Sequence, residues 1–140
     1  MWKGVRNKLT EIKSVYDPKL MKQKRFDSAK KMVERLNKEK DLVYIDKSKT
    51  FFGVKNSDKK NVGYYAVQRM HKTKFLNREP TKDELEHIIY ACNCFDYVKY
   101  IEIQEDFECK HILFIRELIK QKKKIEVKDL SGLLMEDKSQ

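Results

Sequence analysis

Apolar side chains in the first forty residues recur at the three- and four-residue spacing of an amphipathic helix. One stripe predicts a helix over residues 2–16 and comprises Trp2, Val5, Leu9, Ile12 and Tyr16. Pro18 ends this helix, because proline disfavours helical geometry in the residue before it. A second helix is predicted over residues 18–39. Its buried stripe comprises Phe26, Ala29, Met32, Val33 and Leu36.

Beyond residue 41 the apolar period shortens from 3.6 to two, which is the period of a β-strand. Three β-prone runs cover residues 42–45, 50–54 and 62–67, and residues 56–61 have the composition of a turn. The pattern predicts a three-stranded antiparallel meander over residues 42–70.

The rest of the chain alternates between helical and strand patterns. Thr81 can cap a helix with Glu84 three residues later, and the apolar face of that helix would run from Leu85 to Phe95. Residues 97–103 read as a strand, and Asp106 as the cap of a helix that carries residues 107–119. A short strand over 125–127 and a last helical turn or two around Gly132 complete the pattern.

These elements predict an α+β fold with an N-terminal helical pair, an antiparallel meander and then α-β-α. We expect a single domain over residues 1–135, with a basic helical segment at 1–41, the meander at 42–70 and an α/β part at 81–135. Residues 136–140 form a polar tail that we expect to be flexible.

Composition narrows the class of protein. The chain has 140 residues, of which 39% are charged, and no run of 18 apolar residues, so no membrane partner is predicted. The first residues lack the apolar core of a signal peptide. Three cysteines are an odd number and too few for a disulfide framework, so we expect a reducing, cytoplasmic environment.

The net charge of +10 is concentrated in the first half of the chain. Residues 1–74 hold 21 Lys and Arg against 8 Asp and Glu, whereas residues 75–140 hold 11 against 14. Such an asymmetry favours a polyanionic partner, and we expect a non-catalytic protein that binds the phosphate backbone of DNA or RNA. Two tyrosines on the third strand are candidates for stacking on bases. The candidate binding residues are Lys22, Lys24, Arg25, Lys30, Lys31, Arg35, Lys47, Lys49, Lys55, Lys59, Lys60, Tyr64, Tyr65, Arg69, Lys72 and Lys74.

Two other functions remain open at this point. The stripe over residues 2–16 could dock into a partner protein or pair with its twin in a homodimer, as in an inhibitor or adaptor. The element order is also compatible with a restriction-type nuclease that holds a divalent metal. Glu34, Asp46 and Gln68 are the candidate residues for that site, although Gln68 stands where such a site needs a glutamate.

A cluster of soft ligands lies between residues 87 and 111. It comprises His87, Cys92, Cys94, Cys109 and His111. Four such ligands are what tetrahedral zinc requires, and Cys92, Cys94, Cys109 and His111 are the candidate set. The spacers are single residues, however, and Cys92 and His111 lie at positions predicted to be core. Buried core cysteines are therefore the preferred interpretation, and no cofactor is predicted.

Overall fold

The structure is a computed structural model, and it describes residues 18–56, 63–72 and 74–135. The predicted helix over residues 2–16, most of the predicted turn at 56–61 and the predicted tail lie outside this part of the chain. The N-terminal apolar stripe, on which a protein-partner function would depend, therefore also lies outside the described residues.

The described chain has the predicted α+β fold, with helices against a single sheet. The helices are α1 (Pro18–Leu36), α2 (Lys82–Leu85), α3 (Phe95–Tyr100) and α4 (Lys110–Lys120), and a 3₁₀ turn covers Lys40–Leu42. The strands are β1 (Val43–Asp46), β2 (Phe51–Lys55), β3 (Tyr64–His71), β4 (Lys74–Phe75), β5 (Ile88–Cys92) and β6 (Val127–Lys128).

The predicted meander is confirmed, since β1, β2 and β3 are consecutive antiparallel neighbours. β5 pairs antiparallel with β3, and β6 pairs parallel with β1. Met70 and His71 of β3 pair with both β4 and β5. Because a strand has two edges, β5 lies on the edge of β3 opposite to β4 and β2.

The core lies between one face of the sheet and the helices α1 and α4, which pack against each other. Ala29, Met32 and Val33 of α1 are buried as predicted, and the helix ends three residues before its predicted end. Phe26 is a correction: its side chain is 38% exposed, and Lys22 lies over its ring.

The segment after α2 differs from its prediction. The capping box of Thr81 and Glu84 is confirmed, but α2 ends at Leu85 and residues 88–92 form a strand, not a helix. Ile88 and Tyr90 are buried while Ile89 between them is exposed. This is the period of a strand, and the free edge of β3 supplies the hydrogen bonds that the local pattern does not reveal.

Residues 97–103 form helix α3 and a turn, not the predicted strand. Their aromatic side chains are three residues apart, so that Tyr97 and Tyr100 both contact the ring of Phe107. The next helix begins later than predicted, because α4 has Cys109 and not Asp106 as its N-cap. Phe107 is buried just ahead of α4.

The last described segment covers the other face of the sheet. Leu130 is fully buried against Gly53, and its backbone N–H donates to the buried carboxylate of Asp46. Around Gly132 the chain makes a hydrogen-bonded turn instead of the predicted helix, and Leu134 forms a β-bridge with Tyr64. β6 begins two residues later than the predicted strand at 125–127.

Candidate functional site

The three cysteines and His111 converge on one point inside the protein. Cys92 ends β5, Cys94 is the N-cap of α3, Cys109 is the N-cap of α4, and His111 is the second residue of α4. One ligand atom from each of the four residues lies within 4.8 Å of the other three. All four side chains are buried, with exposures of 0 to 6%. His87 stands apart from this cluster on the exposed turn after α2.

Two of the distances between these atoms match those in a tetrahedral metal site. Nδ1 of His111 lies 3.7 Å from Sγ of Cys92 and 3.9 Å from Sγ of Cys109. Ligands about 2.3 Å from one zinc ion at tetrahedral angles are about 3.8 Å apart. The three thiols are free, so no disulfide competes for the sulfur atoms. The four side chains are therefore placed so that they could hold one zinc ion, while the three cysteines also belong to the hydrophobic core.

Extended backbone explains why single-residue spacers suffice. Cys94 has φ −72° and ψ 160°, and Cys109 has φ −77° and ψ 171°. In extended chain, residues two apart point to the same side, so Cys92 and Cys94 can face one ion. A single-residue spacer is therefore compatible with binding of one ion where a strand and a helix cap supply the ligands.

Hydrogen bonds among the thiols shift their pKa values in different directions. Hydrogen bonds from Cys109 and Cys92 to the sulfur of Cys94 lower the pKa of that thiol. Burial raises the pKa of Cys109 to about 12, and hydrogen bonding to Cys109 and Cys94 raises that of Cys92. A buried thiolate needs a counter-cation, because charge is costly to transfer out of water. A divalent metal would supply that cation.

Three thiolates and one imidazole are a donor set typical of zinc. If all four residues bound one zinc ion, they would complete a tetrahedral shell and leave no position for water or substrate, as in a structural rather than a catalytic zinc site. Within the described ranges this is the one group of three or more His, Cys, Asp or Glu side chains placed to hold a metal ion.

The predicted nucleic-acid residues divide between two environments. On α1, the side chains of Lys22, Lys24, Lys30 and Lys31 are exposed. Lys72 and Lys74 are also exposed, at the junction of β3 and β4. Lys59 and Lys60 lie outside the described residues.

Other predicted cations are already engaged within the protein. Arg25 packs over the ring of Phe107 at 4.4 Å. The remaining contacts are ion pairs: Arg35 with Glu39 at 3.0 Å, Lys47 with Asp129 at 3.1 Å, Lys49 with Glu79 at 3.9 Å and Lys55 with Asp41 at 2.8 Å. Most of these pairs are solvent-exposed, so each contributes little to stability.

Tyr64 and Arg69 are corrections, because both are buried. The hydroxyl of Tyr64 donates to the backbone carbonyl of Asp41 at 2.9 Å. The guanidinium of Arg69 donates to the carbonyl of Lys49 and lies over a core phenylalanine ring. Tyr65 is half-buried, with its ring 4.9 Å from that of His111. Of the two tyrosines, neither lies exposed between basic neighbours as a base-stacking platform requires.

The nuclease candidates are not brought together. Asp46 and Gln68 lie on the face of the sheet covered by Leu130, whereas Glu34 is exposed on α1, which packs against the opposite face. The oxygens of Asp46 accept hydrogen bonds from Ser48 and from the Leu130 N–H. These bonds hold the β1–β2 turn and the C-terminal segment in place, and they give Asp46 a structural role.

Comparison with known protein families, curated proteins and solved structures finds no match for this chain. None of the helices in the described ranges combines the length and apolar character that a bilayer span requires. The sequence analysis did not single out Lys110, which lies between two candidate ligands at the start of α4.

Proposed function

We propose that this protein is a zinc-stabilised module that binds the phosphate backbone of nucleic acid through the outer surface of α1. The observation that carries the proposal is the exposure of three lysines on this helix that form no described ion pair. Lys24, Lys30 and Lys31 are exposed, and within the described part of the chain none of them forms an ion pair.

The packing of α1 directs these charges outward. Its inner stripe of Ala29, Met32 and Val33 is buried against the core, so the helix cannot rotate to hide its polar face. Residues 18–36 include seven basic and two acidic side chains. From Lys24 to Lys31 the helix extends about 10 Å, which matches about three base steps of 3.4 Å along a nucleic-acid strand.

The zinc site would support this function by stabilising the helix against which α1 packs. Two of the four ligands are at the start of α4, and α4 packs along α1. A metal ion that joins α4 to β5 would therefore also help to keep α1 in position. Three thiolate ligands suit a reducing compartment such as the cytoplasm. Contacts to phosphate alone imply weak sequence specificity.

The test is a salt titration of binding to duplex and single-stranded oligonucleotides. If α1 contacts three or four phosphates, the logarithm of the duplex association constant should fall against the logarithm of salt with a slope of about −3. In a Lys24→Gln/Lys30→Gln variant the slope should become shallower by about 2. The matched control is Lys82→Gln/Lys99→Gln, which removes the same charge from exposed positions on α2 and α3.

The result that supports the proposal is a slope that changes in the α1 variant and stays constant in the control. Equal losses in both variants would show that total charge, and not the α1 surface, determines binding. Failure of the unmodified protein to bind either oligonucleotide at 50 mM salt would contradict the proposal altogether.

A further inference from the structure

A cavity of about 220 Å³ lies where α1, β2 and the start of α4 meet. Its volume corresponds to about seven water molecules, which is enough for a phosphate group with part of its hydration. Side chains from three separate regions of the sequence contribute cations to it. The polar lining consists of Ser28, Lys31, Arg35, Lys55, Lys110 and His111.

The charge of this cavity is only partly balanced. Arg35 pairs with Glu39, and Lys55 pairs with Asp41. Lys31 and Lys110 form no ion pair with any described residue. Four cations held around one concave surface repel one another unless an anion lies between them, and the two acidic partners leave an excess of two positive charges.

His111 contributes a buried residue to the lining of the same cavity. Its ring is 6% exposed, and Nδ1 faces the sulfur atoms of Cys92 and Cys109. His111 is also one of the residues that line the cavity.

The backbone at the start of α4 adds to the positive potential. Lys110 and His111 are the first two residues of this helix of 11 residues, and the N-terminus of a helix carries a partial positive charge. No side chain caps this terminus through the N-cap residue. The helix therefore presents its positive end beside the two lysines that have no ion pair.

We infer that this cavity is a binding site for one phosphate group of the nucleic-acid backbone, an inference that rests on the function proposed above. Lys31 and Lys110 supply charge, and the Ser28 hydroxyl is a donor for a phosphate oxygen. The site would fix where the backbone enters the α1 surface.

The test uses the zinc-loaded full chain and two probes. Inorganic phosphate is titrated at constant ionic strength while backbone amide and His111 ring resonances are followed by NMR. Saturable shifts are expected at Ser28, at Lys110 and in the ring of His111. A Lys31→Gln/Lys110→Gln variant should lose these shifts, whereas Lys82→Gln/Lys99→Gln should retain them. Zinc content and circular dichroism verify that each variant is folded.

The second probe is a short oligonucleotide, which separates the failure of this inference from the failure of the proposed function. We expect Lys31→Gln/Lys110→Gln to weaken oligonucleotide binding about tenfold or more. If phosphate causes no saturable shift in the cavity, or if this variant binds oligonucleotide as tightly as the control, the inference is wrong and the α1 proposal stands. If no oligonucleotide binds while phosphate does, the nucleic-acid proposal is wrong and the ligand is another phosphorylated molecule.

Discussion

Chelation of metal is the perturbation that tests the candidate Cys₃His site most directly. The four candidate ligands belong to β5, α3 and α4, so a bound ion would connect three elements that otherwise meet through side-chain packing and the hydrogen bond from Arg116 to the Ile88 carbonyl. A ligand that binds only the folded chain stabilises it by about 4.1 kcal/mol when its free concentration is a thousand times its dissociation constant. For a domain of 140 residues, each kcal/mol changes the melting temperature by about 4 °C. We therefore expect zinc to raise the melting temperature by about 15 °C over the chelated protein.

The assay compares thermal unfolding with buffered zinc and with a chelator, together with elemental analysis for one zinc per chain. Cys109→Ser should abolish the zinc-dependent increase, although serine is itself a favourable N-cap and leaves α4 able to start. Val67→Ala is the control, because Val67 is fully buried and pairs with Cys92 across the sheet. This change should cost about 2 kcal/mol with or without zinc and leave the increase intact.

Two results would refute the reasoning. One is an unmodified protein that contains no zinc after expression with added metal and melts at the same temperature in chelator. The other is a Cys109→Ser protein that retains the full zinc-dependent increase. Either result would return the four residues to the role of core packing.

Two further predictions concern stability. Gly53→Ala should destabilise the fold by about 1 to 3 kcal/mol, since the new Cβ would lie 2.8 Å from Cδ1 of the buried Leu130. Urea unfolding measures this cost, and a Leu130→Ala background should reduce it; an equal cost in both backgrounds would contradict the proposed clash. Hydrogen bonds from Arg78 and from the Thr81 N–H lower the pKa of Glu84 to about 2, from about 4.3 in an unfolded chain. The stabilisation from ionised Glu84 is therefore present above about pH 4.3 and lost as the pH falls toward 2. Urea unfolding between pH 2 and 5 should show a shallower pH dependence for Glu84→Gln than for the unmodified protein, and identical profiles would contradict this assignment.

Helix α1 and the meander could be predicted because the information for them is local. A continuous 3.6-residue period in one case, and period-two runs separated by a turn in the other, each fit a single structure. The run from Ile88 to Cys92 fits two structures. Its apolar residues suit one face of a helix as well as alternate positions of a strand, and the unpaired edge of β3 decides between them. Likewise the run over residues 97–103 suggests the alternation of a strand, but the contacts of Tyr97 and Tyr100 with Phe107 require a helix.

The candidate site likewise depends partly on the sequence alone and partly on the tertiary structure. By itself, the sequence determined the uneven distribution of charge and the presence of four soft ligands, since both follow from composition and order alone. Tertiary structure decided which of these groups meet. Arg69 became buried because its place on β3 faces the core, while Lys110 reached the cavity beside Lys31 because α4 packs on α1. Cys92 and Cys109 are seventeen residues apart in the chain. Only the pairing of β5 with β3, and the packing of α4 beside it, brings their sulfur atoms to one point, because that distance depends on contacts that no local pattern encodes.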